Sequence, residues 1–99
     1  MTSTLFSPLA IGPVQVPNRI AVAPMCQYSA ENGRIGSWHL MHLGSFASGG
    51  AGLVIAEATA VVPEGRISIG CPGLWDDATA ESWRPVVDFV HSLHGRIGI

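Results

Sequence analysis

The spacing of apolar and polar positions changes several times along this chain, and each change predicts an element. Residues 9–16 (LAIGPVQV) alternate loosely around Gly12 and Pro13, a pair that reverses the chain easily, which predicts a short hairpin. Arg19, Ile20, Ala21 and Val22 then form a short run stopped by Pro24. This reads as a buried strand, because proline cannot donate into a central ladder. A loop over 26–37 follows, with Asn32 and Gly33 as its turn. Ser37 is suited to cap a helix whose apolar positions Leu40, Leu43 and Phe46 recur every third residue, and Gly49 and Gly50 end it. Its small residues Gly44, Ala47 and Ser48 would let it lie close to a sheet.

Residues 53–62 (LVIAEATAVV) are almost continuously apolar, as expected of a parallel strand covered on both faces. Pro63, Glu64 and Gly65 make a turn, and the stretch to Trp75 is irregular. Asp76, Asp77 and Glu81 put negative charge where a helix N-terminus favours it, and Trp83, Val86, Val87, Val90 and Leu93 form one apolar stripe. Pro85 cannot donate back to Glu81, so either a first turn stands apart or the regular helix begins near Arg84. Gly95 is placed to cap the end, and residues 96–99 (RIGI) open a third strand.

The order is hairpin, β, α, β, α, β. Parallel strands joined by helical crossovers give a (β/α)8 barrel or an open doubly wound sheet, and neither finishes at its third strand. A barrel takes roughly 250 residues, so residues 1–99 are expected to be a single incomplete domain, the N-terminal third of a (β/α)8 TIM barrel in the α/β class. The doubly wound reading is weaker. Gly49, Gly50 and Gly52 precede a strand instead of following one, so no phosphate-type loop is present.

Composition narrows the function. Charged residues make up 12% of the chain, about half the usual share of roughly 25%. The basic residues are five arginines against seven acids, a net charge of −2, so no nucleic-acid partner is expected. With no lysine there is neither Schiff-base chemistry nor a Walker-type phosphate lysine. Cys26 and Cys71 fit no zinc or CxxC spacing and read as thiols of a reducing compartment. The start MTSTLFSPLA lacks the basic, then apolar, pattern of a signal peptide, and no run is long enough to span a membrane. A cytoplasmic protein without membrane contact is expected.

In a barrel the reactive groups sit at the C-terminal strand ends, here residues 23–28 and 57–59, which would share one rim. Cys26 is suited to tune a cofactor or act as a nucleophile, or else is a small buried apolar residue. Tyr28 offers a ring to stack and a hydroxyl to donate, or is a half-buried aromatic. His39 and His42 could share a metal, but HExxH is absent and no third ligand is suggested, so a packed helix pair is the favoured reading and no metal is assigned. His91 and His94 suit a helix C-terminus and receive no catalytic role. Glu57 is a carboxylate within the apolar run, either an acid or base with a raised pKa or, the commoner case, partnered by Arg19 or Arg66. Arg66 and Trp75 read as packing the irregular stretch.

At these same residues the sequence resembles the N-terminal part of the Old Yellow Enzyme family, in particular its bacterial xenobiotic-reductase-like branch of ene-reductases. The resemblance rests on LFSP (5–8), NRI (18–20), APMCQY (23–28), Trp38 with His39, GAGL (50–53), EATAV (57–61), EGRI (64–67) and GLWD (73–76), in family order. It implies FMN held at the mouth of a TIM barrel, NADPH or NADH as reductant, and an activated alkene as small-molecule substrate. The reaction implied is reduction of the C=C bond of an α,β-unsaturated carbonyl compound.

By the same resemblance, Ala23, Pro24, Met25 and Cys26 lie against the flavin, with the cysteine modulating its potential. Ala58 contacts the flavin from the second strand, Tyr28 lines the substrate site, and the hairpin around Gly12 plugs the barrel floor. A flavin needs a flat apolar bed with a few polar contacts, and apolar strand ends with one thiol supply part of it. The family's carbonyl-gripping histidines, general-acid tyrosine and phosphate site are expected beyond residue 99, so no catalytic residue is assigned within the chain. The chain by itself is expected to be inactive. The alternative is a non-catalytic barrel fragment that forms a homo-oligomer or complements the remaining barrel in a partner chain.

Overall fold

A computed structural model describes residues 3–99. Strands β1 (Leu9–Ile11) and β2 (Val14–Val16) pair antiparallel as the expected hairpin, in the register Leu9 to Val16. Gly12 holds φ +56° at the first turn position, where a two-residue hairpin demands a residue free to be left-handed. Strand β3 (Ala21–Val22) is followed by helix α1 (Ser37–Ser48), strand β4 (Leu53–Ile55), a 3-10 turn at Pro63–Gly65, helix α2 (Asp77–Ser92) and strand β5 (Arg96–Gly98). Strands β3, β4 and β5 form one parallel sheet in that order, with Val22 beside Val54 and Val54 beside Ile97.

Both helices pack on each other and cover one face of the sheet. Leu43 and Ala47 of α1, Val54 of β4, and Trp83, Val86 and Val90 of α2 meet in a single core. On the other face Leu53 and Ile55 stay only half-buried, so β4 is not covered on both sides as its apolar run suggests. Gly44 serves the neighbouring helix, because a Cβ there would stand 2.8 Å from the Phe89 ring.

Four local expectations need correction. The 53–62 strand ends at Ile55, after which Ala56 donates a last bond to the Gly98 carbonyl at 2.8 Å and the chain leaves the ladder. The rest of the run is buried differently, with Ala60 bridging to Gly73. Gly36, not Ser37, is the N-cap of α1, and His39 at the third helical position accepts the Gly36 N–H on Nδ1 at 3.1 Å. Helix α2 runs unbroken through Pro85. The cost of about 3 kcal/mol for an interior proline is offset by a reciprocal Asp76–Thr79 cap and by Trp83, whose indole donates to the Gly73 carbonyl at 3.1 Å. Finally, His94 at φ +64° takes the left-handed position of a Schellman end, with Gly95 N–H reaching the Val90 carbonyl.

Asn18 ties the sheet together at its N-terminal end. Its Oδ1 accepts from the N–H groups of Ile20 and Gly52, at 3.0 and 2.9 Å, while its Nδ2 donates to the Gly50 carbonyl at 2.7 Å. The glycines ahead of β4 therefore serve a close approach to Asn18.

Candidate functional site

Because β3 and β4 are parallel neighbours, residues 23–28 and 56–59 leave the sheet at the same end. They border a groove of about 440 Å³ whose wall includes Pro24, Ile55, Ala58, Leu74 and Ile99. Ala23, Pro24, Met25, Tyr28 and Ala58 are exposed at this rim, and Cys26 is half-buried. Tyr28 is open to solvent, at 61% exposure, and not a half-buried aromatic. The single carboxylate of the rim segments, Glu57, is buried beneath it.

Glu57 holds the two segments together. Its Oε1 accepts the Gln27 backbone N–H at 3.3 Å, and its Oε2 lies 3.9 Å from Nε2 of His39, which is fully buried. Gln27 in turn donates from Nε2 to the Met25 carbonyl at 3.0 Å and accepts the Trp38 indole N–H on Oε1 at 2.9 Å. The partner of Glu57 is thus neither Arg19 nor Arg66. Arg19 reaches the Pro8 carbonyl, and Arg66 donates to the Pro63 carbonyl and lies 5.4 Å over the Trp75 ring, packing the irregular stretch as expected.

Burial governs the protonation of this pair. It pushes the His39 pKa below its ordinary value, with nearby His42 acting in the same direction, so the imidazole is neutral at pH 7. The Gly36 N–H pointing at Nδ1 requires the same state and leaves the proton on Nε2, facing Glu57. Burial pushes the Glu57 carboxyl up, and the Gln27 N–H partly offsets this. His39 and His42 are not a metal pair, since one ring is sealed against Glu57 and the other stacks edge-on against Phe46 at 5.1 Å.

Sequence reasoning left two residues of this arrangement without a role, Gln27 and His39. The available signal was weak: a histidine at the third position of a helix beginning with glycine, and an amide inside an otherwise apolar strand end.

A parallel β/α segment with small apolar side chains at the C-terminal strand ends defines a cofactor-bearing part of a (β/α)8 barrel. Residues 4–99 match the model of the NADH:flavin oxidoreductase / NADH oxidase family, and the chain belongs to that family, whose cofactors are FMN and NAD(P)H. It is 44% identical over 98 residues to an NADH:flavin oxidoreductase of Gibberella zeae, covering 99% of this chain and 24% of that protein. Among solved structures it resembles morphinone reductase in complex with tetrahydroNAD (TM-score 0.86, 38% identity, 97% of this chain and 26% of that one). It also resembles the Old Yellow Enzyme homologue of Zymomonas mobilis (TM-score 0.80, 34% identity, 96% and 26%). The chain therefore spans about a quarter of the length of these relatives. The likeness identifies the sheet as the opening strands of an Old Yellow Enzyme TIM barrel.

Proposed function

We propose that this chain forms one wall of the FMN site in an enzyme that uses NADPH or NADH to reduce the C=C bond of α,β-unsaturated carbonyl compounds. The observation that carries the reading is the uncharged rim of Ala23, Pro24, Met25 and Ala58, which two adjacent strand ends present as one apolar surface. Such a surface suits one face of a flavin ring, and the groove beside it is open enough to admit one. Bound there, FMN would supply the hydride-transfer chemistry. Ala23, Pro24, Met25 and Ala58 would exclude water from the ring face, and the Cys26 thiol would adjust the electronics. Tyr28 would flank the substrate. None of these residues is basic, so the phosphate must be held by groups outside 23–28 and 56–59.

The test is the visible spectrum of the purified chain before and after addition of FMN and removal of the excess. A perturbed flavin spectrum that stays with the protein is expected from a usable bed. A colourless protein would refute flavin binding by these residues alone.

A second reading is favoured by the sheet itself. Among the described residues β3 and β5 each pair on one side only, leaving two open edges that suit completion by other strands, in a second copy or in a partner chain that carries the rest of a barrel. Self-association in size-exclusion chromatography is expected under this reading, and a clean monomer would count against the homo-oligomer.

A further inference from the structure

Tyr28 stands at φ +54°, in the left-handed region that a bulky L side chain rarely adopts. Two other non-glycine residues share that region among those described, and each has a local cause: Asn32 occupies a tight turn where asparagine is common, and His94 closes the end of α2. Tyr28 has none in its own sequence. Its neighbours supply one from both sides.

On one side Gln27 is fixed at every polar group it carries. Its N–H goes to Glu57, its side-chain amide spans from Met25 to Trp38, and its carbonyl accepts the Ser29 hydroxyl at 2.9 Å. Glu57 is itself aligned by the buried His39 ring. On the other side Gly70 presses on the Tyr28 backbone, where a Cβ would stand 2.6 Å from the carbonyl oxygen, 2.8 Å from the carbonyl carbon and 3.1 Å from Cα. Gly70 is held in turn, because its carbonyl accepts the Ala30 N–H at 2.9 Å and its own N–H reaches the Ser68 hydroxyl at 3.2 Å. The backbone of Tyr28 is thus gripped while its side chain stays at the surface.

We propose that Glu57, aligned by His39, and Gly70 are positioning residues that clamp Gln27–Tyr28 in this left-handed turn and so present the Tyr28 ring at the rim. What the ring would meet there, a ligand beside FMN, rests on the function proposed above; the clamp rests on geometry alone. Strain retained in a backbone over-determined by its surroundings is a mark of a functional position. The clamp explains why a carboxylate is buried beneath an apolar rim: its two oxygens face two N–H donors, His39 Nε2 and the Gln27 amide, from separate elements.

Tyr28 is the single tyrosine of the chain, so isotope-labelled tyrosine gives one set of NMR signals. In the unaltered chain its Cα and N shifts are expected to report a left-handed φ. Glu57→Gln offers one oxygen to two donors, and its N–H₂ opposes whichever is left. The Tyr28 shifts are expected to move toward extended values, with Gln27 amide exchange about tenfold faster. Gly70→Ala changes no charge and leaves Glu57 intact, yet must displace the Tyr28 carbonyl and is expected to move the same signals. A purely structural role would lower the melting temperature of both variants while leaving the Tyr28 signals in place, and that result overturns the proposal. Should Glu57→Gln fail to fold, Gly70→Ala decides alone. FMN titrated into the unaltered chain tests the flavin reading separately: a shifted Tyr28 ring supports it, and no response removes it without touching the clamp.

Discussion

Substituting Gly52 by alanine tests whether the N-terminal end of the sheet is closed by Asn18. A Cβ at Gly52 would stand 2.6 Å from the Asn18 Oδ1, 2.8 Å from its backbone oxygen and 3.0 Å from its backbone nitrogen. The side-chain oxygen can rotate away, but only by releasing the N–H groups of Ile20 and Gly52, and the two backbone atoms cannot rotate at all. Overpacking of this kind costs about 1–3 kcal/mol, and each net hydrogen bond lost adds about 0.5–1.5 kcal/mol. The expected loss is therefore about 2–5 kcal/mol, a large share of the roughly 5–15 kcal/mol that holds a domain folded. Because Gly52 also accepts the Arg96 N–H at 3.1 Å, the loosening should reach β5. The assay is urea unfolding followed by tryptophan fluorescence, with Gly98→Ala as the comparison, since a Cβ at Gly98 meets nothing within 4 Å. At about 4–8 °C per kcal/mol, Gly52→Ala should also melt at least 8 °C below that comparison. Equal midpoints for the two variants would refute the closure.

Three further outcomes are expected. His39 is held neutral in the folded chain below its ordinary pKa, so the unfolded state binds its proton first and stability falls as pH drops below about 6.5, by up to about 1.4 kcal/mol per unit. Glu57, with its pKa raised, acts in the opposite sense, favouring the folded state as pH falls toward 4.5; unfolding curves across pH 4–7 should flatten in His39→Gln and steepen in Glu57→Gln. Trp83→Phe leaves the Gly73 carbonyl buried without its indole donor and should cost about 1–3 kcal/mol by urea unfolding, with the α2 circular dichroism retained. Cys26→Ala in the FMN-loaded enzyme should shift the flavin reduction potential while leaving the melting temperature within about 2 °C; an unchanged potential would assign the thiol to packing.

The element order was legible in the sequence because local rules write it. Gly12–Pro13 dictates a reversal, Gly49 and Gly50 stop a helix, and the change from strand-like runs to a helical stripe at Trp83, Val86 and Val90 announces a crossover. The apolar rim was also legible, since Ala23 to Met25 and Ala58 follow the strand ends directly. What local rules cannot carry is the identity of a partner thirty residues away. The apolarity of 53–62 reports burial, not strand, and only the pairing of β4 with β5 decides that the ladder stops at Ile55. Likewise Pro85 argues for a break that the packing of Trp83 and Val86 on either side of it overrides.

The buried carboxylate shows the division most clearly. Its presence in an apolar run demands a partner, because desolvating an unpaired charge is too costly, and that much the chain by itself determined. Which partner answers depends on where α1 crosses the sheet. Arg19 and Arg66 have the right charge, but the fold turns both outward and brings the neutral His39 ring and the Gln27 amide to Glu57 instead. Periodicity and turn chemistry act over a few residues and can be read in order along the chain, whereas hydrogen bonds within a buried network are satisfied only when separate elements have been packed together.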